Sequence, residues 1–267
     1  MRGGFHHRRW GLDTDRGSYA IKQLSVDTDL ADPAVRAHYN ASEAIAEAFA
    51  ERGIPAVFAL KYGSDYLHCI DDSGYLVHRW RDAMALATGE LSEPHALQVA
   101  AKLARIHAAD IPFSGLVEPQ RDAYSSDNIL DLVAMCEAYH PRLGDALRRE
   151  LPTFLAIVDA QREAAQLLAR HQVTSHGDLD QKNVLWDAAG LPAIIDWESA
   201  RCLNPTYEAL NQALNWSGIT ARFDERLFGN FRAAYRRAGG VIDRKLVNPS
   251  YDYILGDWVA WLMYNVG

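Results

Sequence analysis

Apolar and polar positions fall into two regimes along this chain. Tyr19-Ala20-Ile21-Lys22-Gln23-Leu24 is a short strand-like run after the turn signal Asp15-Arg16-Gly17-Ser18. Asp32-Pro33 then reads as the N-cap and first position of a helix that runs to Arg52, where Gly53 and Pro55 stop it. Residues 57–60, 66–70 and 75–80 predict three further strands, the last two joined by a turn at Asp71-Asp72-Ser73-Gly74. From Pro94 the period changes. Leu97, Ala100, Ala101, Leu103, Ala104 and Ile106 recur at helical spacing as far as Asp110. Residues 128–139 and 153–171 predict two more helices, a short strand-and-loop segment occupies 173–197, and helices resume at Thr206 and Glu225. Strands followed by helices argue for an α+β fold, with residues 1–80 as a sheet-rich lobe and 81–267 as a helical one. No internal repeat or low-complexity tract appears. The chain enters strand structure almost at once and stops inside the apolar helical run Trp258-Val259-Ala260-Trp261-Leu262-Met263, so both ends read as truncated.

Composition narrows the class of partner. Of 267 residues, 49% are hydrophobic and 23% charged, which is enough apolar material for a core and argues against disorder. A net charge of −8 argues against nucleic acid or an anionic membrane as the main partner and suits a cationic small molecule. Cys69, Cys136 and Cys202 are widely spaced and odd in number, as free thiols in a reducing compartment are. No apolar run is long enough to span a bilayer, so the expectation is a cytoplasmic protein, monomeric by default.

The chemistry is concentrated in His176-Gly177-Asp178-Leu179-Asp180-Gln181-Lys182-Asn183. An apolar strand follows, then a turn at Asp187-Ala188-Ala189-Gly190, and a second strand ends in Ile195-Asp196-Trp197-Glu198. Phosphoryl transfer needs one carboxylate to take or orient the hydroxyl proton, and hard oxygen ligands to hold Mg²⁺ against the phosphates. Asp178 fits the first role, and Asn183 and Asp196 the second. A hairpin between them would return Asp196 to Asn183.

This segment resembles the catalytic loop of the aminoglycoside phosphotransferase and choline kinase-like families, relatives of the protein kinases. Their H-G-D-x-x-x-x-N is matched at His176, Gly177, Asp178 and Asn183, and their I-D-W/F-E at Ile195 to Glu198. The resemblance implies a bilobal kinase-like fold with a small antiparallel-sheet N-lobe and a larger, mainly helical C-lobe. It also implies Mg²⁺ and ATP, with GTP as the other possible donor. Ala20-Ile21-Lys22 is similar to the family's lysine-bearing strand, which gives Lys22 to the phosphates. Glu43 and Glu47 share one face of the following helix, and the resemblance favours Glu43 as the partner of Lys22. Residues 75–80 fall where the hinge that holds the base is expected, making Val77 and His78 nucleotide contacts. His176 is expected to orient the loop backbone. The sequence departs from the pattern at the glycine-rich loop, for which only Gly3-Gly4-Phe5-His6-His7 is available. It departs again at Asp180, where many protein kinases carry lysine. Lys182, just before Asn183, is the substitute cation for the transferring phosphoryl.

The expected acceptor is the hydroxyl of an aminoglycoside-like, cationic small molecule. An amino alcohol, a sugar and a macrolide are alternatives, and Asp180, Glu198, Glu208, Asp252 and Asp257 are candidate acidic contacts. About ten residues separate Asp196 from the next helix, too few for a protein-kinase activation segment. A metal-dependent hydrolase would not need Lys22 or Asn183. A pseudokinase usually lacks one of Lys22, Asp178, Asn183 and Asp196, all of which are present here.

Overall fold

The computed structural model describes residues 7–87, 92–109, 111–112 and 125–266. The proposed glycine-rich loop therefore lies outside the described residues except for His7, as does the expected helix end at Asp110. Contacts divide the chain into two compact units. The first is Met1–Glu118 with Val173–Cys202 and Gln212–Gly240, and the second is Pro119–Gln172 with Leu203–Asn211 and Val241–Gly267.

The first unit holds a four-stranded antiparallel sheet of β1 (Arg8–Thr14), β2 (Gly17–Gln23), β3 (His68–Ile70) and β4 (Ser73–Arg79), in the order β1-β2-β4-β3. Opposite residues in antiparallel strands share a face. Lys22 lies opposite Leu76 and Ala20 opposite His78, so these four share one face, whereas Ile21 and Val77 share the other. Helix α1 (Pro33–Glu51) starts as the sequence predicts. Asp32 caps it by accepting the Ala34 N–H at 2.8 Å, an interaction whose loss costs about 1 kcal/mol. Gly53, at φ +74°, follows its end. Residues 57–60 do not form the expected strand. The segment makes only single bridges, Ala56 to Ile194 and Ala59 to His78, because its hydrogen bonds are divided between two neighbours, Val57 N–H to Ile194 O and Leu60 N–H to Val77 O.

Short strands β5 (Ala83–Ala85), β7 (Val184–Asp187) and β8 (Pro192–Ile194) form a second sheet in the order β5-β7-β8, and β6 (Val173–Ser175) pairs with β9 (Arg201–Leu203). Helices α2 (Glu93–Ala109) and α6 (Glu225–Arg237) pack on one another, with His107 Nδ1 2.7 Å from the Tyr235 hydroxyl.

The second unit is helical. α3 (Ser126–Tyr139) and α7 (Val247–Val266) both pack on α4 (Pro141–Leu168) around Ile129, Val133, Leu147, Val158 and Met263. α4 begins twelve residues before the expected position 153 because Pro152 falls inside it rather than ending it. The unit boundary falls inside α5 (Pro205–Trp216). Among the described residues no helix is long and apolar enough to cross a membrane. The α+β class and the antiparallel sheet followed by helices agree with the pattern of the sequence.

Candidate active site

After β6 the chain makes a tight loop whose backbone is held by its own histidine. His176 is fully buried. Its Nδ1 accepts the Asp178 N–H at 3.2 Å, so its Nε2 carries the proton and donates to the Ile195 carbonyl at 2.9 Å. One ring thus joins the two motifs. Gly177 sits at φ +78°, and a Cβ there would collide with the Ser199 carbonyl and the Arg201 guanidinium, so only glycine fits. Trp216 Nε1 donates to Leu179 O at 2.9 Å and fastens the loop from α5.

Asn183 closes the loop. Its Nδ2 donates to Asp178 O at 2.8 Å and to Asp178 Oδ2 at 3.0 Å, which leaves Oδ1 as its acceptor. The β7–β8 hairpin then returns, and the Ile195 N–H donates to Asn183 O at 3.0 Å, so Asp196 follows directly on the residue paired with Asn183. Asp196 has φ 65° and ψ 59°, a left-handed conformation that costs a non-glycine residue roughly 1–2 kcal/mol. Such strain at a putting-together of charged groups is typical of functional positions.

Lys22 is buried, with Nζ 2.5 Å from Asp196 Oδ1 and 2.8 Å from Glu198 Oε2. The expected pair with Glu43 is not formed. Glu43 accepts the buried Ala59 N–H at 2.6 Å and lies 3.6 Å from His78 Nε2. Ala59 is fully buried in a segment that forms no continuous ladder, so its donor needs a side-chain acceptor. Glu47 is committed as well, to Lys61 at 2.6 Å and the Tyr66 hydroxyl at 2.5 Å, and these bonds hold its carboxyl below the ordinary value. The two hinge residues also part. His78 faces the cavity that contains Lys22, whereas Val77 points to the opposite sheet face and its carbonyl takes the Leu60 N–H at 2.7 Å. Strand alternation forces this split.

Two cavities meet at Asp196. One of about 270 Å³ is lined by Ala20, Lys22, His78, Leu185, Ile195 and Asp196 among others. Another, of about 300 Å³, is lined by His7, Arg9, Asp178, Lys182, Asp196 and Glu198 with Ser199. Lys182 Nζ stands 3.2 Å from both Asp178 Oδ2 and Asp180 Oδ2. Burial raises the Asp180 carboxyl above its ordinary value, and the charge of Asp178 adds to this.

Arg9 carries no signal in the sequence, and His7 figures there only as the end of the candidate glycine-rich loop. Arg9 Nη2 reaches Asp196 Oδ2 at 3.1 Å, and His7 Nε2 lies 3.3 Å from Glu198 Oε2. Arg9 is the cross-strand partner of Lys22, a relation that becomes visible only once 8–14 is recognised as a strand. Among the acids considered for an acceptor, Glu198 is turned to Lys22. Asp257 accepts the Tyr207 hydroxyl at 2.7 Å, and Glu208 is buried rather than a surface charge.

A hard dication shared with phosphates needs only one or two protein oxygens. The Asp196 carboxylate and the Asn183 Oδ1 are oxygens that could supply that set. Among the described residues no cluster of three or more His, Cys, Asp or Glu side chains stands ready to cage a metal alone.

A profile of the phosphotransferase enzyme family (APH) matches residues 1–247. The chain belongs to this family. No curated protein sequence matches this phosphotransferase. Its fold is shared with several solved structures at low identity. The spectinomycin phosphotransferase APH(9)-Ia, in complex with ADP and spectinomycin, has 16% identity and a TM-score of 0.67 over 99% of this chain and 81% of that one. The choline kinase LicA from Streptococcus pneumoniae has 15% identity and a TM-score of 0.61, covering 99% and 82%. The amicoumacin kinase hAmiN in complex with AMP-PNP, Ca²⁺ and Ami has 10% identity and a TM-score of 0.70, covering 98% and 78%. The kinase-like fold of this phosphotransferase is therefore that of small-molecule kinases.

Proposed function

We propose that this phosphotransferase moves the γ-phosphoryl of a Mg²⁺-bound nucleoside triphosphate, ATP in the first instance, onto a hydroxyl of an aminoglycoside-like small molecule. The observation that carries the reading is the convergence of Lys22, Asp178 and Asp196 on two cavities that share Asp196, with Asn183 hydrogen-bonded to the Asp178 carboxylate. Residues 1–80 serve the nucleotide and 81–267 supply the catalytic loop and the acceptor site. The cavity beside His78 and Leu185 takes the base, with backbone groups of the segment after His78 as its polar contacts. Lys22 meets the phosphates. Asp196 and the Asn183 amide oxygen would hold Mg²⁺, which when bound offsets charge on the transferring group.

Asp178 is the base. Its Oδ2 is engaged by Asn183 and Lys182, which holds the carboxylate in orientation. The acceptor O–H gives its proton to Asp178 as its oxygen forms the new bond to phosphorus. The bond from that phosphorus to the bridging oxygen breaks, the nucleoside diphosphate leaves with the electron pair, and Asp178 returns the proton to solvent.

A coupled assay of nucleoside diphosphate release, run with ATP and with GTP over aminoglycosides, macrolides, amino alcohols and sugars, tests the reading. Release that depends on one acceptor class supports it and names the class. Nucleotide binding with no acceptor-dependent release would leave a pseudokinase. In the active pairing Asp178→Asn lowers kcat by about 10²–10⁴-fold while the nucleotide Kd stays close to wild type. Near-normal turnover would remove Asp178 from the role.

A further inference from the structure

Among the described residues Lys22 pairs with two carboxylates, and neither comes from α1. One is Asp196, already assigned to the metal. The other is Glu198, whose Oε2 is 2.8 Å from Lys22 Nζ. The Glu198 backbone is fastened to α1: His38 Nε2 lies 2.9 Å from its carbonyl oxygen, and the preceding Trp197 stacks on Phe49 with ring centroids 5.2 Å apart at 27°. His7 approaches the same carboxylate from the start of β1. Its Nδ1 accepts the Ser25 N–H at 3.0 Å, so the proton of the neutral ring is on Nε2, 3.3 Å from Glu198 Oε2. Glu43, the α1 glutamate expected to pair with Lys22, is spoken for by Ala59 and His78.

We infer that Glu198 is the residue that positions Lys22 for the nucleotide phosphates, with His7 joining it from β1, and that α1 acts on Lys22 through Trp197-Glu198 rather than through a glutamate of its own. The inference rests on the kinase reading above for what Lys22 is positioned to do. Asp196 is thereby left to serve the metal, because a second carboxylate holds the ammonium when Asp196 turns away.

Binding of Mg²⁺-AMP-PNP by titration calorimetry tests this through a double-mutant cycle. Glu198→Gln is expected to weaken binding about tenfold, the scale of a charge-assisted contact. In a Lys22→Met background it should add less than about twofold, because the residue it acts through is gone. Glu43→Gln should add its full effect in both backgrounds. Additive losses for Glu198→Gln, or coupling of Glu43→Gln to Lys22→Met, would overturn the assignment. A second readout needs no nucleotide. Acetylation of Lys22 by an activated ester, followed by mass spectrometry, should run several-fold faster in Glu198→Gln and at the wild-type rate in Glu43→Gln. An unchanged rate in Glu198→Gln would also overturn it. If labelling behaves as expected but the wild type binds no nucleoside triphosphate, the kinase reading fails and the Glu198–Lys22 pairing stands.

Discussion

On the proposed reaction, Lys182 is a side chain whose placement bears directly on rate. Burial works to lower its pKa, but Asp178 and Asp180 outweigh burial and hold it above the ordinary lysine value, so it stays charged through neutral pH. Its ammonium is 3.2 Å from the Asp178 carboxylate and two-thirds exposed, on a flexible stem beside Asn183. A cation so placed meets negative charge as it develops on the transferring group. Lys182→Met should therefore cut kcat about 10²-fold and leave the nucleotide Kd nearly unchanged, and Lys182→Arg should recover only part. Equal losses in kcat and nucleotide affinity would place Lys182 in ground-state binding instead. Glu198 gives a second prediction, with a sign fixed by its depressed pKa. Its contribution to stability is fully present above the usual carboxylate value near 4.5 and is lost as pH falls toward about 2. Urea midpoints of wild type and Glu198→Gln should differ most at pH 5 and converge at pH 4 and then pH 3. A gap that stays constant with pH would mean the glutamate stabilises by shape alone. At this scale two motifs at fixed spacing named Asp178, Asn183 and Asp196, and the strand Ala20-Ile21-Lys22 named Lys22; the structure brings Lys22 to Asp196 and Asn183 to Asp178. The partner of Lys22 was not, since helical spacing places Glu43 and Glu47 on one face but says nothing of the buried Ala59 N–H or of the Tyr66 hydroxyl that engage them.

The elements that build the site differ in how openly the sequence declares them. α1 announces itself with Asp32-Pro33 at one end and Gly53 at the other, and the turn before β4 with its Asp-Asp-Ser-Gly run. The segment 57–60 is as apolar as a strand but makes only isolated bridges, because its hydrogen bonds go to Ile194 on one side and Val77 on the other. β5 was missed altogether: Ala83-Met84-Ala85 has no strand signature and extends only because β7 is there to pair with it. The catalytic loop depends on a backbone shape rather than a pattern. Gly177→Ala places a methyl against the Ser199 carbonyl in a left-handed backbone, and that backbone oxygen cannot swing aside as the Arg201 guanidinium can. The variant should lose kcat more than tenfold even where it remains folded, because the loop that carries Asp178 must shift. Circular dichroism with kcat separates the cases. A folded, fully active alanine variant would show that the loop tolerates the displacement.

For the whole molecule, the distribution of the site over the chain makes a prediction about where a nucleotide is felt. Lys22, His78, Asp178, Asn183, Asp196 and Glu198 come from three stretches of sequence, yet all lie in the first compact unit. The packed helices α3, α4 and α7 belong to the second. A ligand that binds only the native state stabilises it by mass action, about 2.7 kcal/mol at one hundred times its Kd. That stabilisation appears first in the segments that touch the ligand, since proteins open by local cooperative units. Hydrogen exchange with saturating Mg²⁺-AMP-PNP should therefore slow β1, β2, β4 and the 176–198 segment. Exchange in α3, α4 and α7 should change little. The sequence foretold the fold class because strand and helix periods are segregated along it. It could not foretell this partition, because the segments 173–202 and 212–240 join the first unit through contacts distant in sequence. Protection spread evenly over both units, or confined to α3, α4 and α7, would mean that the nucleotide is held elsewhere and would count against the Lys22–Asp196 site as its seat.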